Sequence, residues 1–352
     1  MTRVLRINEK NIDHNKIRYA AEQIKKGKLV VFPTETVYGI GASAFDEEAC
    51  KKIFEVKHRA ADNPLIVHIC DFRQLQSIAA VSQNLLDKIK KVWPGPVTFV
   101  LKKKVLPDIV TAELDTAAVR MPGNKIALEL IRESGVPIAA PSANISTFPS
   151  ATEARHAIKD FNGRVSVIID GGRSRFGLES TVINLSRKPY TLLRPGAYDL
   201  KDLERVFGRI IVPKKINDTK KSGKVLSPGM KYRHYSPNTR LVLFSDNDLI
   251  SEAVRLAKLN KLRFALLCSE ETAVNFRNER VIILGSRKDL GSIAKNLFSS
   301  FRKLDTFNVD IGFIESFDEH GIGLPIMNRL IKASVGNIVG HRGDLLKIFN
   351  SG

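Results

Sequence analysis

Thiols are scarce in this chain: Cys50, Cys70 and Cys268 are the only three in 352 residues, and no two of them form a C-x-x-C pair. That excludes a disulfide framework or a zinc site built on paired cysteines. No run approaches the roughly 18 apolar residues of a membrane-spanning helix, and MTRVLRINEKNIDHNK at the start has no signal-peptide core. A soluble cytoplasmic protein with no membrane partner is the expectation. Acidic residues are few, 37 against 56 Lys and Arg, for a formal net charge of +19. So positive a field attracts polyanions or anionic substrates, of which phosphates are the commonest. The familiar nucleotide and hydrolase signatures are also missing: there is no G-x-x-x-x-G-K-[ST], H-E-x-x-H or G-x-S-x-G, and GSRKDLGS fails the G-x-G-x-x-G test. Phosphate handling would have to proceed without a P-loop.

What is present is an ordinary globular composition, 43% hydrophobic and 26% charged. At roughly 150 residues per domain, two domains are expected. Apolar periodicity gives a helix over 17–26, the strand KLVVF (28–32) and a helix capped by Asp46. Strand-like runs follow at 97–101, 117–121, 137–140, 165–170 and 181–185, with helices over 84–92 and 126–134 among them. Strands and helices interleave without strict alternation, which predicts a twisted mixed sheet with flanking helices over 1–212. Residues 213–239, rich in Lys, Gly, Ser and Pro, read as a linker. From 240 to 352 strands and helices alternate regularly, the pattern of a smaller, Rossmann-like parallel α/β domain. The group Asp318, Glu319 and His320 reads as a solvated turn. With no heptad repeat or long apolar stripe, the chain is expected to be monomeric.

Polar segments recur where the strand-like runs end. The first, PTETVYGIG, follows the buried run VVF, and its hydroxyls and glycines let a ligand approach the backbone. Next comes KHRAADNPLIVHI, whose Lys57 and Arg59 could merely complement a helix dipole and whose His68 could be a core histidine. Arg120 stands alone in the apolar run AAVRM, a costly place unless it is paired or faces a site. The run PSAN offers Ser142 and Asn144 as short donors, with Ser150 beyond them, and Ser180, Thr181 and Arg194 follow in LESTV and LLRPGAY. Several such clusters together favour a pocket for a multiply anionic ligand.

In order and spacing, PTETVYGIG, KHRAADNPLIVHI, VRMPG, PSAN, LESTV, LLRPGAY and SPGMKYRHYSP resemble the threonylcarbamoyl-AMP synthase family of YrdC type, in its longer two-domain form. One motif departs: the usual K-G-R-P reads Lys57-His58-Arg59-Ala60, which keeps both cations. The resemblance implies a YrdC-like fold for the first domain. It implies a nucleotidyltransferase that joins L-threonine, bicarbonate and ATP into threonylcarbamoyl-AMP and pyrophosphate, with Mg2+ accompanying ATP, for a downstream threonylcarbamoyl transferase that modifies tRNA. Carried over by motif, Thr36, His68, Arg120, Ala140, Ser180 and Thr181 would surround threonine. Arg59, Asn63, Thr116, Ser142, Asn144, Ser150, Arg194 and Tyr235 would face ATP. Lys57, Arg59 and Arg120 would carry the catalysis, and Tyr232 and His234 are candidates for a lid. No Asp/Glu cluster identifies metal ligands. Two other readings compete: a basic RNA-binding protein without catalysis, and an enzyme that passes a carbamoyl adenylate to another acceptor.

Overall fold

The computed structural model describes residues 1–213 and 235–350, so Tyr232, His234 and most of the expected linker lie outside the described residues. Two compact units emerge: residues 1–146 with 150–213, and residues 235–350 with Thr147–Pro149. Among the described residues no helix is long and apolar enough to cross a membrane.

The first unit is built on one sheet of eleven strands: β1 Arg3–Arg6, β2 Val30–Phe32, β3 Gly39–Ser43, β4 Ile66–His68, β5 Ala79–Ala80, β6 Val97–Lys103, β7 Thr116–Arg120, β8 Ile138–Ala139, β9 Val167–Asp170, β10 Thr181–Asn184 and β11 Thr191–Arg194. They lie in the order β1-β9-β2-β3-β8-β4-β7-β6-β10-β11, with β5 paired to β6. Pairing is mixed, as the interleaved sequence predicted: β4 and β7 are parallel, whereas β8 runs antiparallel to both β3 and β4. The expected helices form, and their starts are capped as the sequence suggests. The Asp46 carboxylate accepts from the Ala49 amide at 2.9 Å to open helix Glu47–Lys57.

Strand alternation divides the side chains between two faces. Val31, Val67, Phe99, Val119 and Ile183 enter the main core on one face. On the other, Val30, Phe32, Ile138 and Val167 pack under helices His14–Lys25 and Lys125–Ser134. Further along that second face, Ile66, Val100, Ala118, Val182 and Leu193 form a small apolar cluster drawn from strands only. Three of these five share their parity with polar residues singled out above: Ile66 with His68, Ala118 with Thr116 and Arg120, and Val182 with Ser180.

The second unit contains five parallel strands, β12 Arg240–Phe244, β13 Phe264–Ser269, β14 Val281–Gly285, β15 Ile311–Glu315 and β16 Ile338–Val339, ordered β14-β13-β15-β12-β16. The parallel α/β expectation holds. Helices Ile250–Leu259, Leu290–Leu304 and Gly323–Ser334 are the crossovers such pairing requires.

Candidate active site

The strand-only cluster forms an apolar floor with polar groups at its margin. His68 follows Ile66 at the end of β4, and Arg120 follows Ala118 at the end of β7; the register sets these two side by side. Thr98 precedes Val100 on β6, and Ser180 precedes β10 two residues before Val182. Their shared parity brings residues far apart in the sequence onto one face.

Arg120, 3% exposed, donates from Nη1 to Thr36 Oγ1 at 2.7 Å and from Nε to the Gly95 carbonyl at 3.3 Å. Its Nη2 lies 2.6 Å from Glu35 Oε1, an ion-pair distance. Neither that nitrogen nor either Glu35 oxygen is aligned for a hydrogen bond, so charge alone holds the pair. Thr36 is fully buried and shares a 2.8 Å hydrogen bond with the Thr34 hydroxyl. Thr34 in turn accepts from the Thr36 and Val37 amides, which locks the turn after β2.

His68 is buried, edge-on to Phe32 at 5.9 Å, with Nδ1 donating to the Ile66 carbonyl at 3.1 Å. Burial, and secondarily the Arg120 charge, pushes its imidazole down from 6.5 to about 3. The ring is therefore neutral at physiological pH. Because the folded value lies below the unfolded one, the stability it contributes is complete above about 6.5 and is lost as pH falls toward 3. The His68 ring resonances are expected not to titrate between about pH 5 and 8 in an NMR series; a midpoint near the unperturbed value of about 6.5 would mean that water reaches the ring.

The Ser180 hydroxyl meets Thr98 Oγ1 at 2.8 Å, while Arg194 donates to the Ser180 carbonyl at 2.9 and 3.1 Å and to its hydroxyl at 3.1 Å. Thr181, adjacent to Ser180, directs its side chain away from it. Alternation turns it to the opposite face, where its hydroxyl donates to the Tyr198 carbonyl at 2.8 Å and accepts from the Tyr198 amide at 3.0 Å. Ala140 is buried, its amide bonded to the Ile66 carbonyl at 2.8 Å.

A second group gathers where β4 and β7 begin. Thr116 opens β7, about 13 Å along the strand from Arg120, near the Asn63-Pro64 turn that leads into β4. Asn63 is 2% exposed and its Oδ1 has no hydrogen-bond partner. Arg59 donates to the Asn63 and Pro64 carbonyls at 3.1 and 2.9 Å. Between the two cations, His58 takes the left-handed conformation (φ 51°, ψ 47°), so a histidine bears backbone strain that a glycine would avoid.

Lys57 does more than complement the helix dipole. It is 1% exposed, and its Nζ donates to the Ser142 carbonyl at 2.6 Å and to the Asn144 carbonyl, pinning the PSAN turn. Within that turn Ser142 Oγ donates to Asn144 Oδ1 at 2.5 Å. Ser150 donates to Glu179 Oε1 at 2.6 Å, both being buried. Tyr235, at φ 67°, belongs to the second unit, its ring 5.2 Å from Phe298 with the Arg329 guanidinium over it at 5.6 Å.

Three residues were missed from sequence: Glu35, Thr98 and Glu179. Glu35 and Glu179 stand inside quoted motifs, where an acidic residue beside a cationic cluster was the available signal. Thr98 carried no signal beyond its parity with Val100.

A mixed sheet with buried cations and hydroxyls at its strand ends, followed by a parallel α/β unit, defines a two-unit α/β class of protein. Comparisons with known proteins narrow the class. A family model described as telomere recombination matches residues 22–196, and one described as threonylcarbamoyl-AMP synthase, C-terminal domain, matches 198–335. The threonylcarbamoyl-AMP synthase of Pyrococcus abyssi is 44% identical, covering 96% of this chain and 99% of its own, and that of Bacillus subtilis is 41% identical, covering 94% and 96%. The crystal structure of P. abyssi Sua5 complexed with L-threonine superposes with a TM-score of 0.89 at 44% identity over 96% of this chain and 99% of that one. The chain belongs to the threonylcarbamoyl-AMP synthase family.

Proposed function

We propose that the chain condenses L-threonine, bicarbonate and ATP into threonylcarbamoyl-AMP and pyrophosphate, as a cytoplasmic monomer feeding a transferase that modifies tRNA. The observation that carries this reading is the row of polar groups at the margin of one buried apolar strand face. Arg120, Thr36, His68 and Ser180 lie at one end of β4 and β7, while Arg59, Asn63 and Thr116 lie at the other. Two differently furnished ends suit two substrates that must meet in the middle.

In this reading Arg120 takes the threonine carboxylate beside the Thr36 hydroxyl, with a neutral His68 and Ser180 alongside. Arg59 and Thr116 face the phosphates of ATP, and the unpartnered Asn63 Oδ1 accepts from the adenosine moiety. Ser142, Asn144 and Ser150 contribute short donors to the nucleotide, and Arg194 reaches it from beside Ser180. Lys57 acts on the PSAN turn it pins. Threonine and bicarbonate give a carbamate and water. A carbamate oxygen then bonds to the α-phosphorus of ATP as the bond to the pyrophosphate oxygen breaks. The protein's contribution is orientation and charge neutralisation, so no covalent nucleophile is required. Magnesium, accompanying ATP, would supply neutralisation of phosphate charge.

Pyrophosphate release, followed with threonine and bicarbonate supplied separately and together, tests the reading. Release should require both, with threonylcarbamoyl-AMP detected by mass spectrometry. Release without threonine would instead point to a carbamoyl adenylate, and no release in any combination would overturn the synthase reading.

A further inference from the structure

Glu35 is the one group at the threonine end whose chemistry the proposed reaction leaves unused. Its side chain is 10% exposed, it faces Arg120 Nη2 at 2.6 Å, and both of its oxygens lack hydrogen-bond partners. Burying a carboxylate in this state is costly unless something nearby balances its charge. A cavity of about 160 Å3 opens beside it, its charged lining being Glu9, Glu35, Arg173 and Arg175. A Cβ added at Gly123 would lie 3.5 Å from Glu35 Oε1, so the glycine leaves this side of the carboxylate clear.

We infer that Glu35 is a specificity-determining residue, making Arg120 a receptor for a zwitterionic amino acid and not for a plain carboxylate. The inference rests on the threonine site proposed above and deepens it. The argument is charge balance in a buried place. With His68 neutral, Arg120 and Glu35 cancel, and the pair carries no net charge of its own. A zwitterion keeps it so: its carboxylate takes Arg120, and its ammonium, two bonds away, lies in the field of Glu35. A carboxylate without the amino group adds an uncompensated negative charge, and so does free phosphate or sulfate. Uncompensated charge in such surroundings is penalised steeply. Excluding loose anions from Arg120 has value in a site that also receives the phosphates of ATP.

The test is calorimetric binding to the full chain of two probes, L-threonine and 2,3-dihydroxybutanoate, in which a hydroxyl replaces the amino group. The wild-type protein should prefer threonine by at least about tenfold. Glu35→Gln keeps the shape and removes the charge. It should weaken threonine by at least about tenfold and tighten 2,3-dihydroxybutanoate, opposite signs that a loss of structure cannot produce; Glu35→Asp should restore the preference for threonine. Equal affinities in the wild type, or a parallel loss of both ligands in folded Glu35→Gln, would overturn the inference. The wild-type comparison decides the matter even if the variant does not fold. Wild-type protein that binds no threonine would overturn the synthase reading as well, so the two failures are distinguishable.

Discussion

Arg120→Ala is expected to cut threonylcarbamoyl-AMP formation by at least about 10²- to 10³-fold and to destabilise the first unit by about 3–5 kcal/mol. The two losses have separate causes. Turnover falls because the carboxylate of threonine loses its only proposed guanidinium partner and the Thr36 hydroxyl loses its donor. Stability falls because Glu35, 10% exposed, loses the guanidinium 2.6 Å away that balances its charge. The double variant Arg120→Ala with Glu35→Gln separates them. It should recover most of the stability in a urea titration while turnover stays lost. Single-variant stability equal to wild type would mean that water reaches Glu35. Recovered activity in the double variant would remove Arg120 from the site.

Much of this site could be read from the sequence because strand periodicity is local. Arg120 and His68 announced themselves as polar residues inside apolar runs, and the register of β4 against β7 places them side by side. The orientation of Thr181 was not legible for the same kind of reason: a motif groups neighbours along the chain, whereas a strand sends successive side chains to opposite faces. Lys57 was ambiguous because its burial depends on a turn 85 residues away, whose carbonyls receive its ammonium. Glu35 was hidden because a carboxylate in a hydroxyl-rich turn is ordinary until its partner, on another strand, is known. Strand order was likewise beyond reach. The succession β14-β13-β15-β12-β16 is decided by non-local pairing, and the same alternating pattern is compatible with other orders.

Gly196→Ala is expected to be the most disruptive single-methyl change near the site, costing at least about 3 kcal/mol. Gly196 follows Arg194 and Pro195 at the end of β11, and its backbone crosses directly over the start of β10. A Cβ there would stand 2.3 Å from the Ser180 carbonyl carbon and the Thr181 nitrogen, and 2.5 Å from the Glu179 oxygen. All three are backbone atoms, so no side chain can swing aside. The strand end must separate from β10, breaking the 3.2 Å bond from the Ala197 amide to the Glu179 carbonyl and loosening Arg194 from Ser180. A useful control is Gly163→Ala, where φ is +81° and nothing lies within 4 Å of the new methyl. That change should cost only the left-handed strain of about 1–2 kcal/mol. Urea titrations of both variants, with turnover at saturating ATP and varied threonine, measure the contrast. Gly196→Ala should lose more stability than Gly163→Ala, and any folded fraction should need more threonine to reach half-maximal rate. Equal losses in the two variants would show that β11 can shift without cost, and that Arg194 does not hold Ser180 in place.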